Sequence, residues 1–218
     1  MEPPPVPRDL AEAPVDPAAP LLVVDVDEVL ALFMRGFERF VAPHGYEMRI
    51  TRFALFQSLY RCSDGAVMDL DEGRALFNQF FAEAVGDIEP TPGAREALER
   101  LAGRASIVVL TNAPEQCRAP RERWLQRCGF PYPLIINAGP KGPMVAALAA
   151  RTRGPTAFVD DLLTNLASVE QEAPAVRRFQ HVADERLRPL APTDPDRHAR
   201  IDDWPALADA LSRALRLT

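Results

Sequence analysis

Cysteine is scarce in this sequence. The chain has three in 218 residues, Cys62, Cys117 and Cys128, none at the close spacing of metal ligands. An odd, scattered set excludes a disulfide framework and a zinc site, and it points to a reducing, cytoplasmic compartment. Long apolar runs are missing too. The longest aliphatic stretch, Met144 to Ala150, falls far short of the roughly 18 residues that cross a bilayer, so no membrane role is expected. Positive charge is not in excess. With 25 basic and 31 acidic residues the net charge is −6, which argues against nucleic acid as the partner despite a basic patch from Arg118 to Arg127. No GxxxxGKS/T and no GxGxxG occurs, so neither a P-loop nor a dinucleotide fingerprint is present. What remains is an ordinary globular composition, 47% hydrophobic and 26% charged, long enough for one domain carrying an insertion.

Seven of the 22 prolines lie in residues 1–20 among Ala and acidic residues, which predicts a disordered or extended arm that is neither signal nor anchor. From Leu21 to Val26 runs an apolar, β-branched segment broken only by Asp25, the pattern of a strand buried on both faces. Similar runs follow at 106–110, 134–137 and 156–159, with a weaker one at 178–182. Helical stretches at 93–101, 114–128, 144–150, 162–171 and 204–215 separate them. Alternating strands and helices predict an α/β fold, a Rossmann-like parallel sheet with helices on both faces. The interval 32–89 holds helix-like patterns, including 71–85, and no convincing buried strand. It is expected to form a helical cap inserted into a core of 21–31 and 90–218.

In such a sheet ligands bind beyond the carboxyl ends of the strands. Four predicted strands end in functional groups: Asp25-Val26-Asp27, Thr111-Asn112, Asn137 to Lys141, and Asp160-Asp161. Asp25 and Asp27, two apart in an extended segment, place their carboxylates on one side. Two carboxylates about 4 Å apart repel by roughly 4 kcal/mol at an effective dielectric of 20. Four carboxylates therefore call for a hard divalent cation, and few carboxylates with waters and phosphate suit Mg²⁺. Thr111 and nearby backbone N–H groups can face an anion at the helix that follows. Lys141 lies near a helix start, where a cation opposes the macrodipole, so a carboxylate cluster or a phosphoryl group must favour it there.

This ordered set resembles the four motifs of the haloacid dehalogenase-like (HAD) superfamily of hydrolases. The resemblance runs from Leu21 to about Glu170. It implies a phosphatase in which Asp25 attacks phosphorus to form an aspartyl-phosphate, while Asp27 protonates the leaving oxygen and then activates water. It further implies that Thr111, Asn112 and Lys141 hold the phosphoryl group, and that Mg²⁺ is bound by Asp25, the Asp27 carbonyl and a carboxylate of the last motif. Asn165, four residues after Asp161, favours Asp161 as that ligand, leaving Asp160 behind it or against Lys141. Many relatives have Gly after the second Asp; here it is Glu28, expected as a turn residue pointing to solvent. Asp27 itself favours phosphate ester hydrolysis over carbon–halogen cleavage. The competing readings are a receiver domain, which the motif order opposes, and a non-catalytic relative that binds phosphate or a protein partner.

The substrate is expected to be a small phosphorylated metabolite, with a sugar phosphate and a nucleoside monophosphate both open. Phe77, Phe80 and Phe81 at helical spacing suggest core. Phe56 and Tyr60 are candidates for substrate contact, and Arg52, Arg61 and His44 for reading a second anionic group.

Overall fold

The structure, a computed structural model, describes residue 10 and residues 12–217. The first apolar run becomes β1 (Leu21–Val24), whose four residues are all buried. It is the centre of a six-stranded sheet ordered β5-β4-β1-β6-β7-β8, with every pairing parallel. Its partners are β4 (Ser106–Thr111), β5 (Leu134–Ile136), β6 (Thr156–Asp160), β7 (Arg177–Gln180) and β8 (Ala199–Arg200). The two-residue β8 was not foreseen; an edge pairing this short leaves no apolar run to read.

Period-two alternation sends Leu22 and Val24 into one hydrophobic cluster and Leu21 and Val23 into another. The first cluster lies under α3 (Ala94–Ala102), α4 (Arg118–Arg127) and α7 (Trp204–Ala214). The second lies under α5 (Gly142–Ala149) and α6 (Leu163–Glu172). Leu10, Ala13 and Val15 are buried in the second cluster. The expectation of a disordered or extended arm is thus corrected for these residues, whose isolated apolar side chains cover the flank of the sheet. Residues 1–9 and 11 lie outside the described residues.

The interval 32–89, expected as the cap, folds into α1 (Phe33–Val41), a short antiparallel pair β2 (Tyr46–Met48) and β3 (Leu59–Arg61), and α2 (Leu70–Glu83). The expectation of a purely helical insertion is corrected by this pair. Its strands are three residues each and partly exposed, so they carry no buried run. Asp69 caps α2, its carboxylate accepting from the Asp71 N–H at 2.9 Å. The two crossings to the core are paired: Leu32 N–H donates to Glu89 at 2.9 Å and Thr91 N–H to Leu30 at 2.8 Å. Cap residues Phe37, Phe80 and Phe81 join the same cluster as core residues Leu98 and Trp124. Among the described residues no helix is long and apolar enough to cross a membrane.

Candidate active site

Asp25 extends the β1 ladder by one bond, its N–H donating to the Val159 carbonyl at 3.0 Å. The Val26 carbonyl then accepts from the N–H groups of Val29, Leu30 and Ala31 at 3.2, 2.8 and 2.9 Å. This tight turn at the sheet's carboxyl end brings Asp25 and Asp27 to the wall of one cavity of about 270 Å³, which Thr111, Asn112, Lys141, Asp161 and Asn165 also line. The four strand ends therefore converge.

Lys141 opens α5 and is buried, with Nζ 2.6 Å from Asp25 Oδ1 and 2.7 Å from Asp160 Oδ2. Gly142 allows this placement, because a Cβ there would overlap the backbone of Ser168 on α6. Asp160 lies behind the cavity wall, where it also accepts from the Leu162 N–H at 2.9 Å and from Asn165 Nδ2 at 3.0 and 3.2 Å. Asn165 thus supports Asp160, not Asp161 as its spacing suggested. Asn112 serves the neighbouring loop: its amide donates to Gly139 at 3.0 Å and its oxygen accepts from Asn137 at 2.8 Å. The carboxamide is therefore committed to the loop that carries Lys141. The Thr111 hydroxyl is buried and finds no hydrogen-bond partner among the described residues.

No protein-family model and no curated protein matches the sequence. Solved structures do match. The chain is similar to a HAD family hydrolase from Deinococcus radiodurans R1 with bound phosphate and sodium, at 17% identity and a TM-score of 0.58, over 91% of this chain and 97% of that one. It is similar, at 17% identity and a TM-score of 0.58, to a predicted phosphoglycolate phosphatase from Haemophilus somnus, over 88% of this chain and 96% of that one. A HAD-superfamily hydrolase from Geobacter sulfurreducens matches at 16% identity and a TM-score of 0.53, over 91% and 99% of the two chains. The fold is that of the haloacid dehalogenase-like hydrolases.

On this haloacid dehalogenase-like fold buried carboxylates outnumber their cationic partners. Carboxylate oxygens of Asp25, Asp160 and Asp161 all lie within 4.8 Å of one another. Among the described residues Lys141 is their one cationic contact. Burial pushes the Asp25 carboxyl up to about 7; Lys141 pulls it back, while Asp160 and Asp27 add to the rise. Burial, then Asp160 and Asp25, raise Asp161 well above the usual carboxylate range. Burial opposes the Lys141 charge, but Asp160 and Asp25 together outweigh it and hold the ammonium above its ordinary value. One ammonium does not balance three buried carboxylates, and hard oxygen donors in this number fit Mg²⁺.

Two residues depart from the sequence reading. Glu28, expected in solvent, is buried. Its Oε1 accepts from the Met34 N–H at 2.7 Å and its Oε2 from the Asp184 N–H at 2.9 Å, so it clasps the first turn of α1 to the loop after β7. Its φ is +59°, a left-handed conformation that costs a side chain roughly 1–2 kcal/mol; the two backbone donors offset that cost. Burial pushes its carboxyl up to about 7 against the pull of those donors.

Arg121 was counted only within a basic patch. It is fully buried, its Nη2 donating to both oxygens of Asp27 at 2.8 and 3.0 Å. Its guanidinium lies over the rings of Phe81 and Trp124, 5.4 and 5.7 Å from their centroids. A signal was present, because Arg121 stands three and four residues before Trp124 and Leu125, on the apolar stripe of α4. A second signal concerns Lys141: it is the single lysine among 25 basic residues.

Proposed function

We propose that this protein is a Mg²⁺-dependent phosphatase that hydrolyses small phosphomonoesters through an aspartyl-phosphate. The observation that carries the reading is the Lys141 ammonium, 2.6 Å from Asp25 and 2.7 Å from Asp160, in the same cavity as the Thr111 hydroxyl, which has no hydrogen-bond partner among the described residues. The Asp25 carboxylate attacks phosphorus, and the ester oxygen departs with the proton that Asp27 supplies. Asp27 then takes a proton from water, which attacks the phosphorus of the acyl phosphate and releases Asp25. To reach the ester oxygen Asp27 turns from Arg121, which otherwise parks it beside the nucleophile. Thr111 and Lys141 hold phosphoryl oxygens, and the cap excludes water around them. Asp25, Asp161 and the Asp27 carbonyl would hold Mg²⁺, which neutralises charge on the phosphoryl group and aligns it for attack.

The test is release of phosphate from a generic ester such as 4-nitrophenyl phosphate. Turnover is expected with Mg²⁺, lost reversibly on chelation and supported poorly by Ca²⁺. Asp25→Asn should lower kcat at least about a hundredfold with the fold retained, because the covalent step is deleted. A variant keeping more than this refutes the nucleophile assignment.

A further inference from the structure

The cavity over Asp25 has two unlike surfaces. Its polar side chains all come from the core, and nearly all are committed: Lys141 to two aspartates, Asn112 to its loop, Asn165 to Asp160, Glu28 to two backbone N–H groups, and Asp27 to Arg121. With Asp25, Thr111, Lys141 and Asp161 given to the phosphoryl group and its cation, no uncommitted polar side chain among the described residues lining the cavity is left for the rest of the substrate. The cap lines the cavity with Phe33, Met34, Phe53, Leu55, Phe77 and Phe81 and contributes no polar side chain among the described residues, while Leu162 and Leu187 complete the apolar wall from the core. Phe33, Phe77 and Phe81 form one set of ring contacts, with centroids 4.7 Å apart for Phe77–Phe81 and 5.9 Å for Phe33–Phe81.

The cap's candidate anion readers are elsewhere. Arg61 pairs with Asp64 at 3.1 Å and Glu72 at 3.5 Å, in a separate surface recess that it shares with His44. Arg52 is exposed and does not line the cavity. Phe56 packs edge-on to Phe77, centroids 6.1 Å apart, and Tyr60 lies under Arg49 at 4.6 Å; neither lines the cavity.

We infer that the ester accepted here carries an apolar, ring-sized alcohol, of the benzyl type, in place of a sugar, a nucleoside or a second acid. This rests on the phosphatase reading above. A hydroxyl enclosed by the roof would lose its water partners and gain none. One misplaced hydroxyl in an apolar pocket is disfavoured by up to about a hundredfold, and a sugar carries several. A second anionic group would meet a floor already rich in carboxylates and, among the described residues that line the cavity, no cation but Lys141. The volume of about 270 Å³ lies just below the roughly 300–1,000 Å³ of small-molecule pockets, which suits one ring beyond the phosphoryl group.

The experiment compares kcat/KM, with Mg²⁺, for benzyl phosphate, glucose 6-phosphate and 2-phosphoglycolate, all esters of primary alcohols, so that leaving-group chemistry is matched. Benzyl phosphate is expected to exceed both by at least about a hundredfold; parity, or preference for either of the others, overturns the inference while leaving the phosphatase reading intact. In Phe53→Ser, a half-buried position, the benzyl-to-methyl phosphate ratio should fall about tenfold. An unchanged ratio overturns the roof's role. Should no ester be turned over, the phosphatase reading fails on its own, and binding decides: by calorimetry with Mg²⁺, benzylphosphonate binding more tightly than phosphonoacetate upholds the apolar roof, and the reverse order or no binding refutes it.

Discussion

At the floor of the Asp25 cavity, strand ends of the sheet set Lys141 between two aspartates and hold nearly every polar group in a hydrogen bond; at its roof, residues 32–89 present only apolar side chains. The floor is specified atom by atom, since each of its groups needs a particular partner at hydrogen-bond distance. The roof is specified by area and shape, because its rings belong to the cluster that also holds Phe37, Phe80 and Trp124. Substitutions should therefore act differently on the two surfaces. A polar change at the floor should remove chemistry, and a change at the roof should redistribute substrates or stability.

The most disruptive break in that contrast is Lys141→Met. It leaves Asp25 and Asp160 facing each other without their shared cation. Stability should fall by about 3–5 kcal/mol, as for other broken buried pairs, and phosphate release at least about a hundredfold; urea titration and a rate assay measure the two. Phe80→Ala tests the roof's continuity with the core. The loss should be about 3–5 kcal/mol, seen as a lower midpoint of one transition. An early, separate cap transition would show that cap and core are less united than the shared cluster implies.

Glu28 ties roof to floor, so Glu28→Gly sharpens the comparison. Glycine relieves the positive φ by roughly 1 kcal/mol but strands two buried N–H groups, each worth about 1–3 kcal/mol. A net loss of about 2 kcal/mol is expected in denaturant titration. A more stable variant would mean that the clasp does not hold the first turn of α1.

The smallest effect concerns the core alone. His181 is buried against Trp204, ring centroids 5.2 Å apart, and its Nδ1 is 2.8 Å from the Ile201 carbonyl. Burial pushes it down to about 4, with the nearby Arg188 in the same sense and Ile201, Asp202 and Asp203 opposing. Its neutral form is favoured in the fold, so its contribution is present above pH 6.5 and is lost as the pH falls toward 4. Between pH 7.5 and pH 5 that contribution should fall by about 2 kcal/mol; because Asp25 and Glu28, held near 7, gain stability over the same window, it is read as the difference between the pH–stability profiles of the wild type and His181→Gln.

Much of the floor was legible because buried polar residues at strand ends are costly unless they serve one another. Asp25, Thr111, Lys141 and Asp161 interrupt or terminate apolar runs, so parallel pairing of those runs had to bring them together. Asp160 was legible only as one of two, since the choice of which carboxylate turns inward depends on the bond from Asn165. Arg121 and Glu28 were missed for a common reason. A charged residue reads as solvated until its partner is known, and these partners lie far along the chain, Arg121 being 94 residues from Asp27 and Asp184 being 156 from Glu28. The β2–β3 pair was illegible because three half-exposed residues carry no period.

The single lysine has a consequence for the chemistry of the whole surface. The other 24 basic residues are arginines, whose wide planar guanidinium would not fit where a compact ammonium bridges two carboxylates. An acylating reagent that seeks amines therefore finds no side-chain amine on the folded surface. The one it could modify is enclosed, protonated and without a free electron pair. Acylation of Lys141 thus reports the opening of the Asp25 cavity, and the protein carries its own single side-chain indicator of that event.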